Sequence, residues 1–298
     1  MPGPSRFPLP LIAAFFALYV IWGSTYLVIR IGVEYWPPLM LGGIRFLAAG
    51  AVMYGYLRWR GVPAPTWEQW KACAKIGILL LTFGNGAVTL AEHSGVSSGV
   101  AALAVATVPL FTLLCGYFWG ARNTRLEWAG VILGIAGIAM LNMGSTLQSS
   151  PMGAALLLFA AASWAFGSVW SRRLPLPLGA MASAAEMLVA GVTLLIGSAL
   201  TGERLNAMPP LEGWLALAYL AVFGSIIAFN AYMYLLKHVR PAAATSYAYV
   251  NPAVAVLLGI VFVGETIGME EALAMLVIIS AVLLISLPQW RKPKPEIR

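Results

Sequence analysis

The stretch PLMLGGIRFLAAGAVMYGYL, Pro38–Leu57, decides the fold of this chain, because Arg45 is its single charged residue. The hydrocarbon core of a bilayer is about 30 Å thick, and an α-helix needs about 20 apolar residues to cross it. The stretch has this length and this composition. It is therefore predicted to be a transmembrane helix.

The rest of the chain has the same character. It has 298 residues, of which 60% are hydrophobic and 10% charged, with a mean hydropathy of +0.84. A soluble domain is about half apolar and roughly a quarter charged, so lipid is the expected surroundings. Runs of membrane-spanning length predict ten transmembrane helices, near Leu9–Ile31, Pro38–Leu57, Trp70–Ala91, Gly99–Trp119, Leu126–Leu141, Met152–Trp170, Leu178–Leu200, Trp214–Leu236, Ala242–Val263 and Glu271–Leu287.

The basic residues predict the orientation. The chain has 18 Lys and Arg against 11 acidic residues, for a net charge of +7. Such an excess raises the question of nucleic acid in a soluble protein, but here most bases lie between apolar runs, so no nucleic-acid partner is expected. Basic loops mark the cytoplasmic side. One side collects Arg6, Arg58, Arg60, Lys71, Lys75, Arg122, Arg125, Arg172, Arg173, Lys237, Arg240, Arg291, Lys292, Lys294 and Arg298, and the other holds Arg30 and Arg204. Both termini are therefore predicted to be cytoplasmic.

An internal repeat divides the chain into residues 1–145 and 146–298, the second with a short basic tail. The matched segments keep their order along both halves: Gly23-Ser24 with Gly167-Ser168, Leu47, Ala49 and Gly50 with Leu188, Ala190 and Gly191, and Phe83-Gly84 with Phe223-Gly224. Five spans in each half would insert the second half upside down. Inverted repeats place a substrate site near the midplane and permit alternating access. A channel or a scaffold remains the alternative.

Two charged residues lie inside predicted spans. Arg45 and Glu186 are repeat equivalents, and a charge in mid-helix costs about 2.5–3.5 kcal/mol on insertion scales. Neither is expected to face lipid. We hypothesise that both line a central cavity and couple during transport; a static structural pair is the alternative.

Polar and aromatic residues add further candidates. Thr82, Asn85, Thr89 and Glu92 would share one face of a regular helix, although polar residues also bind helices together. Trp22 and Trp164 lie near span centres, where aromatic rings could meet a cationic or aromatic substrate or simply pack. Pro109 and Pro252 would free backbone carbonyls within their spans. The candidate substrate-binding residues are Trp22, Ser24, Arg45, Asn85, Trp164, Ser168, Glu186, Asn230, Tyr249 and Asn251.

Chemical motifs point away from catalysis. The sequence contains no GxxxxGK[ST] loop for binding nucleotide phosphates, no HExxH motif for binding zinc and no GxSxG motif with a nucleophilic serine. Its 2 Cys and 2 His residues form no metal signature. We expect no enzyme activity, no metal and no cofactor, so transport would be driven by a gradient.

Several segments carry a resemblance to the drug/metabolite transporter superfamily, EamA type: WGSTYLVIRIGVEYWPPLM (Trp22–Met40), RFLAAG (Arg45–Gly50), ATVPLFTL (Ala106–Leu113), SWAFGSV (Ser163–Val169), FGSIIAFNAYMYL (Phe223–Leu235) and TSYAYVNPAVAVLLG (Thr245–Gly259). The resemblance implies helices around a central cavity in a bacterial inner membrane. It also implies export of small metabolites, with amino acids or related amphipathic compounds as the first choice. A multidrug or cationic-compound exporter and a passive facilitator are the alternatives. The spacings Gly116-x-x-x-Gly120 and Gly130-x-x-x-Gly134 permit close helix approach, and they are compatible with either a monomer or a homodimer.

Overall fold

The computed structural model describes residues 9–94, 105–141, 151–251, 253–254 and 269–290, and the regular elements in these residues are all helical. Pro252 and the basic tail lie outside the described residues. The helices are α1 (Leu9–Tyr35), α2 (Pro38–Trp59), α3 (Trp67–Gly77, Ile78–Asn85 and Gly86–His93, continuous), α4 (Val108–Phe118), α5 (Arg125–Leu141), α6 (Pro151–Ser171), α7 (Ala180–Leu200), α8 (Leu211–Tyr219, Leu220–Phe229 and Asn230–His238, continuous), α9 (Pro241–Ala244, resuming over residues 247–251) and α10 (Met269–Trp290).

Several of these helices match a bilayer in length. Five are long and apolar enough to cross it: Pro38–Trp59, Trp67–Ala91, Met152–Ser171, Ala180–Leu200 and Leu211–His238. A sixth span is α1, whose parts Leu9–Thr25 and Leu27–Tyr35 meet at 41°. Large apolar side chains such as Phe16 (68% exposed) and Ile196 (53%) point outward, as lipid requires. The count of ten spans stays a prediction with which the shorter helices agree.

Hydrogen bonds between connections show how the helices alternate. At one end of the bundle, Arg173 donates to the Trp119 carbonyl at 2.7 Å and an Arg240 nitrogen donates to the Arg122 carbonyl at 3.0 Å. These bonds join the α4–α5, α6–α7 and α8–α9 connections at what we call the base-rich end. At the opposite, base-poor end, the Glu203 carboxylate accepts from the first turn of α2. Connections that follow even-numbered helices thus gather at one end, as antiparallel crossings require.

The α2–α7 seam reveals the symmetry of the two halves. A Cβ on Gly50 of α2 would lie 2.8 Å from the backbone nitrogen of Leu188, and one on Gly191 of α7 would lie 2.5 Å from that of Leu47. Gly50 is the repeat equivalent of Gly191, and Leu47 is that of Leu188. The contact is therefore reciprocal, which places a pseudo-two-fold axis between α2 and α7. A second pair of repeat equivalents, α5 and α10, also packs closely, with Gly137 against Ile278.

The third and eighth helices share an irregularity. Ile78–Asn85 in α3 and Leu220–Phe229 in α8 are π-helical, and the matched Phe83-Gly84 and Phe223-Gly224 pairs lie inside them. Helices with i to i+5 bonding are rare and occur frequently at functional sites. The repeat has therefore kept a widened turn in both halves.

Candidate substrate cavity

A cavity of about 80 Å³, partly open to solvent, lies among α1, α2, α3, α4, α6, α8 and α9. It is smaller than a typical small-molecule site, which measures about 300–1,000 Å³. Arg45 and Phe46 contribute from the beginning of α2, and Asn85 and Val88 from the last turns of α3. Because α2 begins and α3 ends at the base-poor end, the cavity occupies the middle of the bundle and its base-poor half.

Arg45 gives the cavity its charge. Its side chain is 5% exposed, its Nε donates to the Ser225 hydroxyl of α8 at 3.0 Å, and its guanidinium carbon lies 4.3 Å from the Phe46 ring centroid. Within the described ranges, no carboxylate forms an ion pair with Arg45, and no other charged residue lines this cavity. A guanidinium has five N–H donors, so most of its hydrogen-bonding capacity is left for a ligand.

Four aromatic rings pack together at the cavity, and we call this group the aromatic floor: Trp22, Trp164 and Tyr247, which line the cavity, and Tyr232, which is buried against them. The Trp22 ring centroid lies 5.5 Å from that of Trp164, 5.3 Å from that of Tyr232 and 4.8 Å from that of Tyr247. Two indole bonds fix the group: Trp22 donates to the Gly224 carbonyl at 3.1 Å and Trp164 to the Tyr232 hydroxyl at 3.0 Å. Since Gly224 belongs to the π segment of α8, the floor is tied to the widened turn.

Polar contacts close the bundle beneath the floor. The hydroxyl groups of Tyr19 and Ser246 are hydrogen bonded at 2.7 Å. With its amide oriented to use both partners, Asn251 donates to the carbonyls of Tyr247 and Tyr19 at 3.2 Å. Farther out, the Arg240 guanidinium pairs with the Glu127 carboxylate. The cavity is therefore closed toward the base-rich end.

The predicted site residues divide into two groups. Five line the cavity: Trp22, Arg45, Asn85, Trp164 and Asn251. The other five do not line the cavity. Ser24 and Ser168 are hydrogen bonded to the hydroxyl groups of Tyr219 and Tyr232, and Asn230 is hydrogen bonded to Ile226 and Met53. Tyr249 packs on Gly134, and Glu186 is fully buried. Whether any of the ten binds substrate stays a prediction.

Glu186 is separate from Arg45. Its side chain is 0% exposed, and neither carboxylate oxygen has a hydrogen-bond partner. Its backbone packs against Gly77 of α3, so close that a Cβ on that glycine would lie 2.5 Å from the Glu186 carbonyl oxygen. In this conformation the two charged groups form no ion pair.

Sequence reasoning missed three residues that the cavity depends on: Ser225, Tyr232 and Tyr247. All three lie within the quoted segments FGSIIAFNAYMYL and TSYAYVNPAVAVLLG. The repeat offers one signal, because Ser225 is the equivalent of the candidate residue Asn85. Tyr232 and Tyr247 had no comparable signal, since aromatic residues are common packing and interfacial residues in membrane helices.

An all-helical, lipid-embedded bundle with two inverted halves around a closed-ended cavity is the architecture of a membrane transporter. The model of the EamA-like transporter family matches residues 9–143 and again 151–287, and the chain belongs to this family. The match to both halves confirms the repeat and the resemblance.

Individual proteins agree with the family. The uncharacterized inner membrane transporter YedA of Escherichia coli (strain K12) is 57% identical over 97% of this chain and 95% of its own length. A "Probable amino-acid metabolite efflux pump" of Salmonella typhimurium (strain LT2) is 27% identical over 87% of this chain and 89% of its own. A solved crystal structure with 23% identity superimposes with a TM-score of 0.75, covering 95% of this chain and 99% of that one, which supports the fold. The chain is a multi-pass inner membrane protein.

Proposed function

We propose that the chain is a secondary transporter that exports small amphipathic metabolites carrying a carboxylate, amino acids first among them, by alternating access. The observation that carries the proposal is Arg45 in the cavity. Its unused N–H donors suit a carboxylate, with which guanidinium forms paired, charge-assisted bonds. The rings of Trp22 and Trp164 beside it suit the apolar part of the same molecule.

The closed floor supports alternating access. Polar contacts close the cavity toward the base-rich end. The reciprocal α2–α7 seam supplies a pseudo-two-fold axis that would relate this closure to a closure at the opposite end. If the base-rich end is cytoplasmic, as the basic loops predict, this conformation faces the periplasm. Export then needs the opposite state to load substrate from the cytoplasm.

Two alternatives make different demands on Arg45. An exporter of cationic compounds could use the faces of Trp22 and Trp164, but the buried positive charge of Arg45 would repel its substrate. A passive facilitator would bind the same carboxylates without accumulating them. The charge of the transported compounds therefore tests the cation exporter. Accumulation against a concentration gradient tests the passive facilitator.

Inside-out membrane vesicles test all three functions. We expect vesicles containing the protein to accumulate radiolabelled amino acids under an imposed proton gradient, and not the corresponding decarboxylated amines. The Arg45→Gln variant is expected to lose about tenfold or more of this transport, the scale of a lost charged hydrogen bond. Arg30→Gln is the matched control, because Arg30 is exposed toward the C-terminal end of α1 and does not line the cavity.

Each contrary result has its own meaning. Equal transport by Arg45→Gln and the parent protein would refute the carboxylate site. Uptake of amines in preference to amino acids would favour the cation exporter. Equilibration that never exceeds the outside concentration, with or without the gradient, would favour the facilitator.

A further inference from the structure

Four buried oxygens without partners lie on three residues of α3 and α7. In the part of the chain that the structure describes, buried side-chain atoms lacking any hydrogen bond are Asn85 Oδ1, Ser183 Oγ and both carboxylate oxygens of Glu186. Leaving a buried polar group unpaired costs about 1–3 kcal/mol, and more for a charge. Asn85 and Glu186 are therefore held in this state in an arrangement that does not satisfy them.

The repeat gives these two residues counterparts that are satisfied. Glu186 is the equivalent of Arg45, and Asn85 at the end of the first π segment is the equivalent of Ser225 in the second. Arg45 and Ser225 are hydrogen bonded at 3.0 Å. The pair Arg45 and Ser225 is therefore hydrogen bonded, whereas the symmetry-related pair Glu186 and Asn85 is not.

Glu186 also lies on the closed side. The titratable groups that act electrostatically on it or are affected by it are Lys237 at the last turn of α8 and Cys73 at the beginning of α3. Lys237 donates to the Pro177 carbonyl in the connection that precedes α7, which places this region in the base-rich half. Here Glu186 occupies the position that Arg45 occupies in the base-poor half.

We propose that in the opposite conformation Glu186 lies beside Asn85 on the wall of a second cavity, open at the base-rich end, where its carboxylate binds a cationic group of the substrate, an ammonium. The inference rests on the proposed function, because only a protein that alternates its open end presents this site. The two states then offer charges of opposite sign. A zwitterion such as an amino acid has a group that each of them binds.

A cysteine at position 85 reports the sign of the charge facing each end. The background is Cys73→Ala with Cys115→Ala, which removes both native cysteines, and it carries Asn85→Cys. Sealed vesicles of known orientation are treated with two membrane-impermeant methanethiosulfonates, one bearing a trimethylammonium and the other a sulfonate. Labelling is followed over time, with substrate transport measured on the same preparations.

From the base-rich end, we expect the cationic reagent to react about three- to tenfold faster than the anionic one, the scale of one nearby charge at intermediate dielectric. Glu186→Gln is expected to abolish this preference. From the base-poor end the preference is expected to reverse, and Arg45→Gln rather than Glu186→Gln should abolish it.

Two results would overturn the inference: no labelling of the cysteine from the base-rich end in a protein that transports, or a cationic preference that Glu186→Gln leaves unchanged. Failure of the proposed function is distinct, because it appears as absence of transport in the parent protein whatever the labelling pattern.

Discussion

Arg45 on α2 donates from Nε to the Ser225 hydroxyl at 3.0 Å, and Ser225 in turn donates at 3.0 Å to the carbonyl of Leu220, five residues earlier in α8. The charge of the cavity is therefore oriented by a side chain inside a π-helical segment. A change in the winding of that segment would move the guanidinium. The orientation of Arg45 and the geometry of α8 are connected through this one hydroxyl.

Ser225→Ala should weaken substrate affinity while preserving the fold. The change removes the acceptor of Arg45 Nε, a contribution of about 0.5–1.5 kcal/mol, and the Michaelis constant for a carboxylate substrate is expected to rise about two- to twelvefold. Ser280→Ala is the control, because Ser280 makes a similar bond to its own helix on the exposed face of α10. Equal constants for both variants would show that Arg45 is oriented without Ser225.

Trp22→Phe should affect substrate binding more than stability. The phenylalanine keeps an aromatic ring in the floor but removes the donor to the Gly224 carbonyl at 3.1 Å. Trp36→Phe removes an equivalent indole bond to α8, to the Gly213 carbonyl at 3.0 Å, away from the cavity. We expect similar losses of about 0.5–1.5 kcal/mol in stability for both, and a loss of ligand-induced fluorescence quenching for Trp22→Phe alone. Matching losses of quenching would contradict this assignment of Trp22.

Gly50→Ala should strongly destabilise the bundle. Its added Cβ would lie 2.8 Å from the Leu188 nitrogen and 3.0 Å from the Ala184 carbonyl oxygen, and backbone atoms cannot turn aside as a flexible side chain can. Gly55→Ala, on the same helix, meets nothing within 4 Å and should gain up to about 1 kcal/mol from helix propensity. Thermal unfolding in detergent measures both changes. Equal melting temperatures would mean that the α2–α7 seam separates easily.

Glu127→Gln should destabilise the closed base-rich end. Glu127 is 1% exposed, pairs with Arg240 and accepts from the backbone of Thr124 at the start of α5. Losing its charge is expected to cost about 1.5–3 kcal/mol. The exposed pair of Glu68 and Lys71 provides the control Glu68→Gln, with an expected cost of about 0–1 kcal/mol. Protease or thiol accessibility at the base-rich end should increase for Glu127→Gln and stay constant for the control.

The sequence alone predicted the features that follow from the free energy of transferring side chains from water to lipid. Apolar runs located the helices, and the cost of a charge in lipid correctly predicted that Arg45 faces inward. The repeat was visible as matched residues in the same order along both halves, among them Gly50 and Gly191 of the α2–α7 seam. These signals survive without knowledge of any neighbouring helix.

The polar stripe of α3 shows what sequence could not supply. Spacing on a regular helix put Thr82 and Asn85 on one face, but Thr82 bonds to Thr193 of α7 at 2.6 Å while Asn85 lines the cavity. The π segment between Ile78 and Asn85 has more residues per turn, so residues three apart diverge. The local sequence contains no signal that predicts this π-helical segment.

Matched serines were likewise an incomplete guide. Ser24 and Ser168 coincide in the repeat and are both candidate site residues, yet each is bonded to a tyrosine hydroxyl, Tyr219 and Tyr232 respectively. A serine within a helix can be satisfied by any neighbour that folding brings near. Only the assembled bundle distinguishes such bonds from a surface left for substrate.

The reciprocal glycine contacts of the α2–α7 seam restrict which substitutions the two halves can accept. Gly50 packs against the backbone of Leu188, and Gly191 packs against the backbone of Leu47. A bulkier residue at either glycine would therefore meet backbone atoms that no substitution of the opposite leucine can remove. Along the seam the shape of each half therefore constrains the residues of the other half. Away from the seam they are free to differ, and the divergence of arginine and glutamate at positions 45 and 186 is the trace of that freedom.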